Sequence, residues 1–201
     1  MRQLILASQS PRRKELLERA GFLFSVHSIQ ISEIPNENLS LSAQIEDLAL
    51  QKALALVESG KYPKSGDILL LSADTLVILD GQVLGKPKDL SQSREFLENL
   101  SGRRHSVITG VCFFDLKTNI KKVAHEEAFV KFHKLSEDQI SRYVESRDGM
   151  DKAGAYGIQT LEKGFIEKIE GNIDNVMGLP VGLVEKLLTE NQWNVDRRKS
   201  E

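Results

Sequence analysis

One cysteine in 201 residues leaves no partner for an internal disulfide, so the chain must fold on its core alone, as suits a reducing compartment. Proline is scarce at five and glycine stands at 14, which excludes collagen-like and low-complexity architectures. No charge of one sign dominates. Against 29 Asp and Glu stand 27 Lys and Arg, a formal net charge of -2, so no global field recruits a nucleic-acid polymer or an anionic membrane. Long apolar runs are missing as well: those such as Ile68 to Leu71 fall far short of the ~20 residues a spanning helix needs. The apolar start is broken by Ser8 and Arg12 before a signal-peptide core can form. These absences lead to the expectation of a cytoplasmic protein without membrane contact. What is present is a globular balance, 40% hydrophobic and 28% charged, in a length that suits one domain over 1–201. Its core is expected from about 4 to 190 and a C-terminal tail from about 191 to 201, frayed from 194.

Leu4 to Ala7 reads as a short strand, and Ser10-Pro11 as the cap and first position of a helix carrying Leu16 and Leu17. Phe22 to Val26 alternates as a strand, and an acidic loop with Glu33 and Glu37 precedes a helix through Ile45, Leu48 and Leu56, with Ser42 as its expected cap. Ile68 to Ala73 is apolar enough for a central strand, with the polar pair Asp74-Thr75 at its expected end. Asp80-Gly81 predicts a tight hairpin, because both turn positions need positive φ. A helix from Ser91 to Leu100, long strands over Ser106 to Asp115 and Lys121 to His133, and a capping box at Ser136 to Gln139 follow. Asp151 to Gln159 is too rich in glycine for a simple helix or strand, Phe165 to Ile169 alternates, and Pro180 opens a last helix. The expected fold is therefore α/β, a single-domain mixed twisted sheet flanked by helices, with no internal repeat.

Several familiar signatures fail. Gly81 to Lys86 is one residue too short for a Walker A loop and lacks its Ser or Thr. His125-Glu126 reaches Phe129 where a zinc-protease helix needs a second His. No nucleophile elbow occurs, and Cys112 between Val111 and Phe113 reads as a small core residue.

A different set of residues carries chemistry. Ser8, Ser10, Arg12 and Arg13 converge where a strand turns into a helix, an arrangement of N–H groups, hydroxyls and guanidinium forks suited to phosphate, although an ordinary capped helix with solvated arginines has the same pattern. Asp74 sits where open α/β sheets place reactive groups and could hold a divalent ion or polarise a water. Glu33 is a candidate second carboxylate, and Lys52 and Lys86 are point charges suited to phosphate oxygens. Gly154 and Gly157 would let a backbone approach a flat ligand while Gln159 offers an amide that both donates and accepts. Together they describe a site for a metal-bound polyphosphate attached to a base. Binding and hydrolysis both remain open, with hydrolysis favoured because no His is positioned to activate another acceptor, whereas a metal and a carboxylate suffice to generate hydroxide.

Six blocks in order carry a family resemblance: Ala7-Ser8-Gln9-Ser10-Pro11-Arg12-Arg13, Ser72-Ala73-Asp74-Thr75, Gly85-Lys86-Pro87, Leu100-Ser101-Gly102, Asp151 to Gln159, and Val176-Met177-Gly178-Leu179-Pro180. From Leu4 to about Leu188 the chain resembles the Maf family of nucleoside triphosphate pyrophosphatases, whose fold is similar to that of the inosine triphosphate pyrophosphatases. The resemblance implies cleavage between the α and β phosphates with magnesium or manganese as cofactor. It implies Asp74 as the catalytic and metal-side carboxylate, Glu33 as a metal-side acid, and Ser8, Arg13, Lys52 and Lys86 as phosphate-side residues. The subgroup that prefers dTTP and UTP carries an Arg, a Thr and a Gln that fall on Arg12, Thr75 and Gln159. Thr160 and Ile173 depart from that pattern, standing where Gly and an aromatic are usual. A homodimer, removal of modified pyrimidine nucleotides and a role in cell division arrest are further implications. The alternatives are a noncanonical purine or 7-methyl-GTP pyrophosphatase, and a regulatory nucleotide-binding protein of septum formation.

Overall fold

A computed structural model describes residues 1–198 except 33, 64, 65 and 163. Seven strands form one mixed sheet in the order β2-β1-β3-β5-β6-β7, with β4 paired to β3. They are β1 (Gln3–Leu6), β2 (Phe24–Val26), β3 (Ile68–Leu79), β4 (Gln82–Leu84), β5 (Arg104–Asp115), β6 (Ile120–Phe132) and β7 (Ile166–Glu170). β1 runs parallel to both β2 and β3, while β4 is antiparallel to β3 and β7 to β6. The helices are α1 (Pro11–Arg19), α2 (Leu41–Glu58), α3 (Leu90–Leu100), α4 (Glu137–Glu145), α5 (Ile173–Val176) and α6 (Val181–Glu190). No helix among the described residues is long and apolar enough to cross a membrane.

Local chemistry explains most boundaries. Ser10 caps α1 with Pro11 inside its first turn, and Ser136 and Gln139 close a reciprocal capping box on α4. Asp80 and Gly81 take φ of 50° and 79° and join β3 to β4, as a tight hairpin requires. Three expectations are corrected. Ser40 and not Ser42 caps α2, its Oγ accepting from Ala43 N–H, so the helix starts earlier than its apolar spacing suggests. Asp74-Thr75 does not end a strand: β3 runs unbroken for 12 residues, because the Asp74 carboxylate is satisfied by Lys52 and the backbone need not turn. The tail is not frayed from 194: Arg2 N–H donates to Asn194 O at 2.8 Å, Leu23 N–H to Asp196 O at 3.0 Å, and the Arg197 guanidinium lies 3.9 Å above the Phe22 ring.

The chain divides into two compact units. The first comprises Met1–Asp74, Thr109–Glu126 and Gly178–Glu201, and its core includes Ile5, Ala49, Ala53, Leu70, Cys112 and Phe114. Cys112 is wholly buried and desolvation pushes its thiol up to about 12, in keeping with a packing role. The second unit comprises Thr75–Ile108 and Glu127–Met177, with Phe96, Phe132, Tyr143, Tyr156 and Phe165 in its core. Phe132 meets Tyr156 and Phe165 edge-on, with centroids 4.9 and 6.2 Å away, contacts worth about 0.5–1.5 kcal/mol each beyond area burial.

His105 is embedded in the second core, its Nε2 2.7 Å from the Tyr156 hydroxyl oxygen, and burial lowers its pKa from 6.5 to about 4. Between those values the unfolded chain takes up a proton that folded His105 refuses, so its contribution to stability is present above pH 6.5 and is lost as pH falls toward 4. The expected slope from this group is about 1.4 kcal/mol per pH unit. Denaturant unfolding of the wild type and His105→Gln from pH 7 to pH 4 would show a flatter profile in the variant; parallel profiles would contradict this assignment.

Candidate functional site

In the first unit, β1 and β3 lie side by side and parallel, with Leu6 opposite Leu71 and Ala7 N–H donating to Leu71 O at 2.7 Å. Ser8 therefore stands just beyond the carboxyl end of β1, and Asp74 lies three residues past the last β1–β3 pair, on the stretch of β3 that continues beyond its parallel neighbour; the end of such a strand is the edge where open α/β sheets bind ligands. Ser8 Oγ accepts from Ser10 N–H at 3.2 Å and from Arg13 Nη1 at 3.1 Å. Arg13 is buried and also donates through Nε to Gly178 O at 2.7 Å, which fixes the plane of its guanidinium. Arg12, one position earlier on α1, is only half-buried.

α2 supplies the second cation. Lys52 Nζ donates to Asp74 Oδ1 at 2.7 Å, in a pair whose side chains are 16% and 13% exposed. Solvent can still reach both. Gln51, the preceding residue, donates to Ile34 O at 3.0 Å and to Asp47 Oδ2 at 2.7 Å, tying the acidic loop to α2. Glu33 lies outside the described residues. Among the described residues no three His, Cys, Asp or Glu side chains gather as a cation cage. A lone Asp74 nevertheless fits an ion that arrives on a polyphosphate, since magnesium takes one or two carboxylates and fills its other positions with phosphate oxygens and water.

The second unit holds Thr75, Lys86 and Gln159. Thr75 is half-buried on β3, and Lys86 is exposed directly after β4. Gly154 N–H donates to Gly85 O at 3.1 Å, so the segment before Lys86 lies against the short turns at Asp148–Asp151 and Ala153–Ala155. At Gly154, with φ of 68°, a Cβ would stand 2.8 Å from Val77 Cγ1, so the motif glycine serves close packing there. Gln159 is exposed in a turn closed by Thr160 N–H donating to Gly157 O at 3.0 Å.

A polar cluster that sequence reading passed over supports this turn. Tyr143, on α4, donates to Asp148 Oδ2 at 2.9 Å and accepts from Gly157 N–H at 3.0 Å. Lys152 is buried and donates to Asp151 Oδ1 at 2.7 Å and to the Asp148 backbone carbonyl. Burial opposes the Asp148 charge, but hydrogen bonds from Thr160 and Tyr143 and the Lys152 ammonium outweigh it and hold the carboxyl below its ordinary range. Desolvation pushes the Tyr143 phenol up to about 12, so it keeps the proton it donates. Asp151, Lys152 and Gly157 fall in the block singled out above by resemblance, whereas Asp148 and Tyr143 lie outside it and are tied to it only by the fold.

Comparison with known proteins identifies the family. A dTTP/UTP pyrophosphatase of Bdellovibrio bacteriovorus is 45% identical over 93% of this chain and 97% of its own length. Proteins of the same name from Symbiobacterium thermophilum and Thermotoga maritima are 45% and 41% identical, covering 94% and 95% of this chain and 94% and 90% of their own. The family described as Maf-like protein matches residues 3–191, which takes in β1 and its Ser8-to-Arg13 turn at one end and α6 at the other, and the chain belongs to that family.

Proposed function

We propose that this protein hydrolyses dTTP and UTP between the α and β phosphates, releasing the nucleoside monophosphate and pyrophosphate. The observation that carries the reading is the Lys52–Asp74 pair at the edge where Ser8 and Arg13 also stand, in a chain with long, similar relatives named dTTP/UTP pyrophosphatase. Arg13 and Lys52 face the phosphates with directed N–H groups, joined by the Ser8 hydroxyl and by Lys86. Asp74 takes the proton of the attacking water as its oxygen bonds to the α phosphorus and the bridging oxygen leaves with pyrophosphate. Arg12, Thr75 and Gln159 read the base, the Gln159 amide donating to a pyrimidine carbonyl and accepting from the N3–H that cytosine lacks. Asp74 and Glu33 would hold magnesium or manganese, which when bound offsets phosphate charge and lowers the pKa of water. The reading includes a cytoplasmic homodimer in which residues 1–201 act as one domain, with modified pyrimidine nucleotides and cell division arrest as its physiological setting.

A nucleotide panel of dTTP, UTP, CTP, ITP, GTP and 7-methyl-GTP, with magnesium or manganese and separate assays for pyrophosphate and phosphate, tests it. Pyrophosphate from dTTP and UTP, with little from the rest, is the expected result. A purine preference would overturn the base assignment, free phosphate the cleavage position, and silence across the panel would favour a regulatory binder.

A further inference from the structure

Gln159 sits at the tip of a four-residue turn, Gly157 to Thr160, and both feet of that turn rest on one linked cluster, Tyr143, Asp148 and Lys152. At the first foot Gly157 N–H donates to the Tyr143 hydroxyl at 3.0 Å, and the aliphatic stem of Lys152 crosses its Cα so closely that a Cβ would stand 2.6 Å from Cε. At the second foot Thr160 Oγ1 donates to Asp148 Oδ2, the oxygen that also accepts from Tyr143. The Thr160 hydroxyl has one proton and a second acceptor in Gly157 O at 3.0 Å; the ionised carboxylate is the stronger of the two. Asp148 is in turn held by Lys152 Nζ, 3.3 Å from its other oxygen.

We infer that Thr160 is a specificity-positioning residue: through Asp148 and Tyr143 it fixes the turn that presents Gln159, and so sets how sharply a uracil or thymine ring is distinguished from cytosine. This rests on the base-reading role proposed for Gln159. An amide discriminates only if its donor and acceptor ends are held in place, because a mobile amide can turn to satisfy either base. The side chain of Thr160 is exposed, so replacing it disturbs no apolar core. Val at that position keeps the shape and removes the hydroxyl; Ser keeps the hydroxyl.

The test is kcat and KM for UTP and CTP in the wild type, Thr160→Val, Thr160→Ser and Gln159→Ala. Thr160→Val is expected to lower the UTP-to-CTP ratio of kcat/KM by about tenfold, equivalent to ~1.4 kcal/mol, through KM more than kcat. Thr160→Ser should restore the ratio. A purely structural role would lower both substrates alike and leave the ratio untouched. If Gln159→Ala collapses the ratio but Thr160→Val does not, the positioning role is overturned and the base-reading role stands. If neither variant moves it, both are overturned.

Discussion

Replacing Asp74 by Asn is expected to lower kcat for dTTP by about 10²–10⁴-fold, the range that loss of a positioned general base removes. The amide has the shape of the carboxylate, and its oxygen can still accept from Lys52 Nζ, which in the native pair lies 2.7 Å from Oδ1. What it cannot do is take up a proton. The substitution also deletes one negative charge beside a partly accessible cation, so without divalent metal a polyanionic nucleotide should bind the variant as tightly as the wild type or more tightly, whereas with metal the lost carboxylate ligand works against that gain. Turnover assays paired with calorimetric titration of dTTP separate the two effects. Undiminished kcat would refute the role of Asp74 as base, and weaker binding in the absence of metal, with normal folding, would show that Asp74 contacts the nucleotide itself.

A large loss of stability is expected from a single methyl group at the contact between β5 and α2. Gly110 on β5 faces α2 so closely that a Cβ would lie 2.5 Å from Ile45 O and 2.7 Å from Ile45 C. Both obstacles are backbone, and no side-chain rotation relieves them. Gly110→Ala should therefore push α2 off the sheet at a cost of about 3 kcal/mol, which for a chain of this size lowers Tm by roughly 6–12 °C. Because α2 carries Lys52, turnover should fall as well. Gly182, exposed in α6 with nothing within 4 Å of its would-be Cβ, is the control: Ala there should leave Tm unchanged or raise it. Equal melting of the two variants would mean that α2 does not approach β5 this closely.

Much of this architecture could be read along the chain because its signals are local. Ser10-Pro11, Asp80-Gly81 and the Ser136–Gln139 box act within four residues, so their spacing is visible without any fold. The polar pair Asp74-Thr75 misled for the opposite reason. Its carboxylate is satisfied by a lysine 22 residues away, and a reader who cannot see that partner takes the charge for a strand end. The tail likewise gains its order from residues 2, 21 and 23, between 173 and 192 positions earlier. Within the candidate site, Ser8, Arg13, Lys52 and Asp74 stand out in the sequence by residue type, and hydrogen bonds join them in two pairs. Asp148 and Tyr143 escaped because neither contributes to a motif. Their importance exists only once α4 brings a phenol to a carboxylate beneath the Gly157 turn.

Ser8 has a consequence that concerns direction. A serine hydroxyl ordinarily suits either end of a hydrogen bond, turning its proton toward an acceptor or its lone pairs toward a donor. Here two lone pairs already receive Ser10 N–H and Arg13 Nη1. Only the proton is left to offer, so the group has become a one-way contact that welcomes an oxygen anion and gives nothing to an ammonium of the same size. Arg13, by filling one of those lone pairs, makes its neighbour a filter for the sign of what approaches.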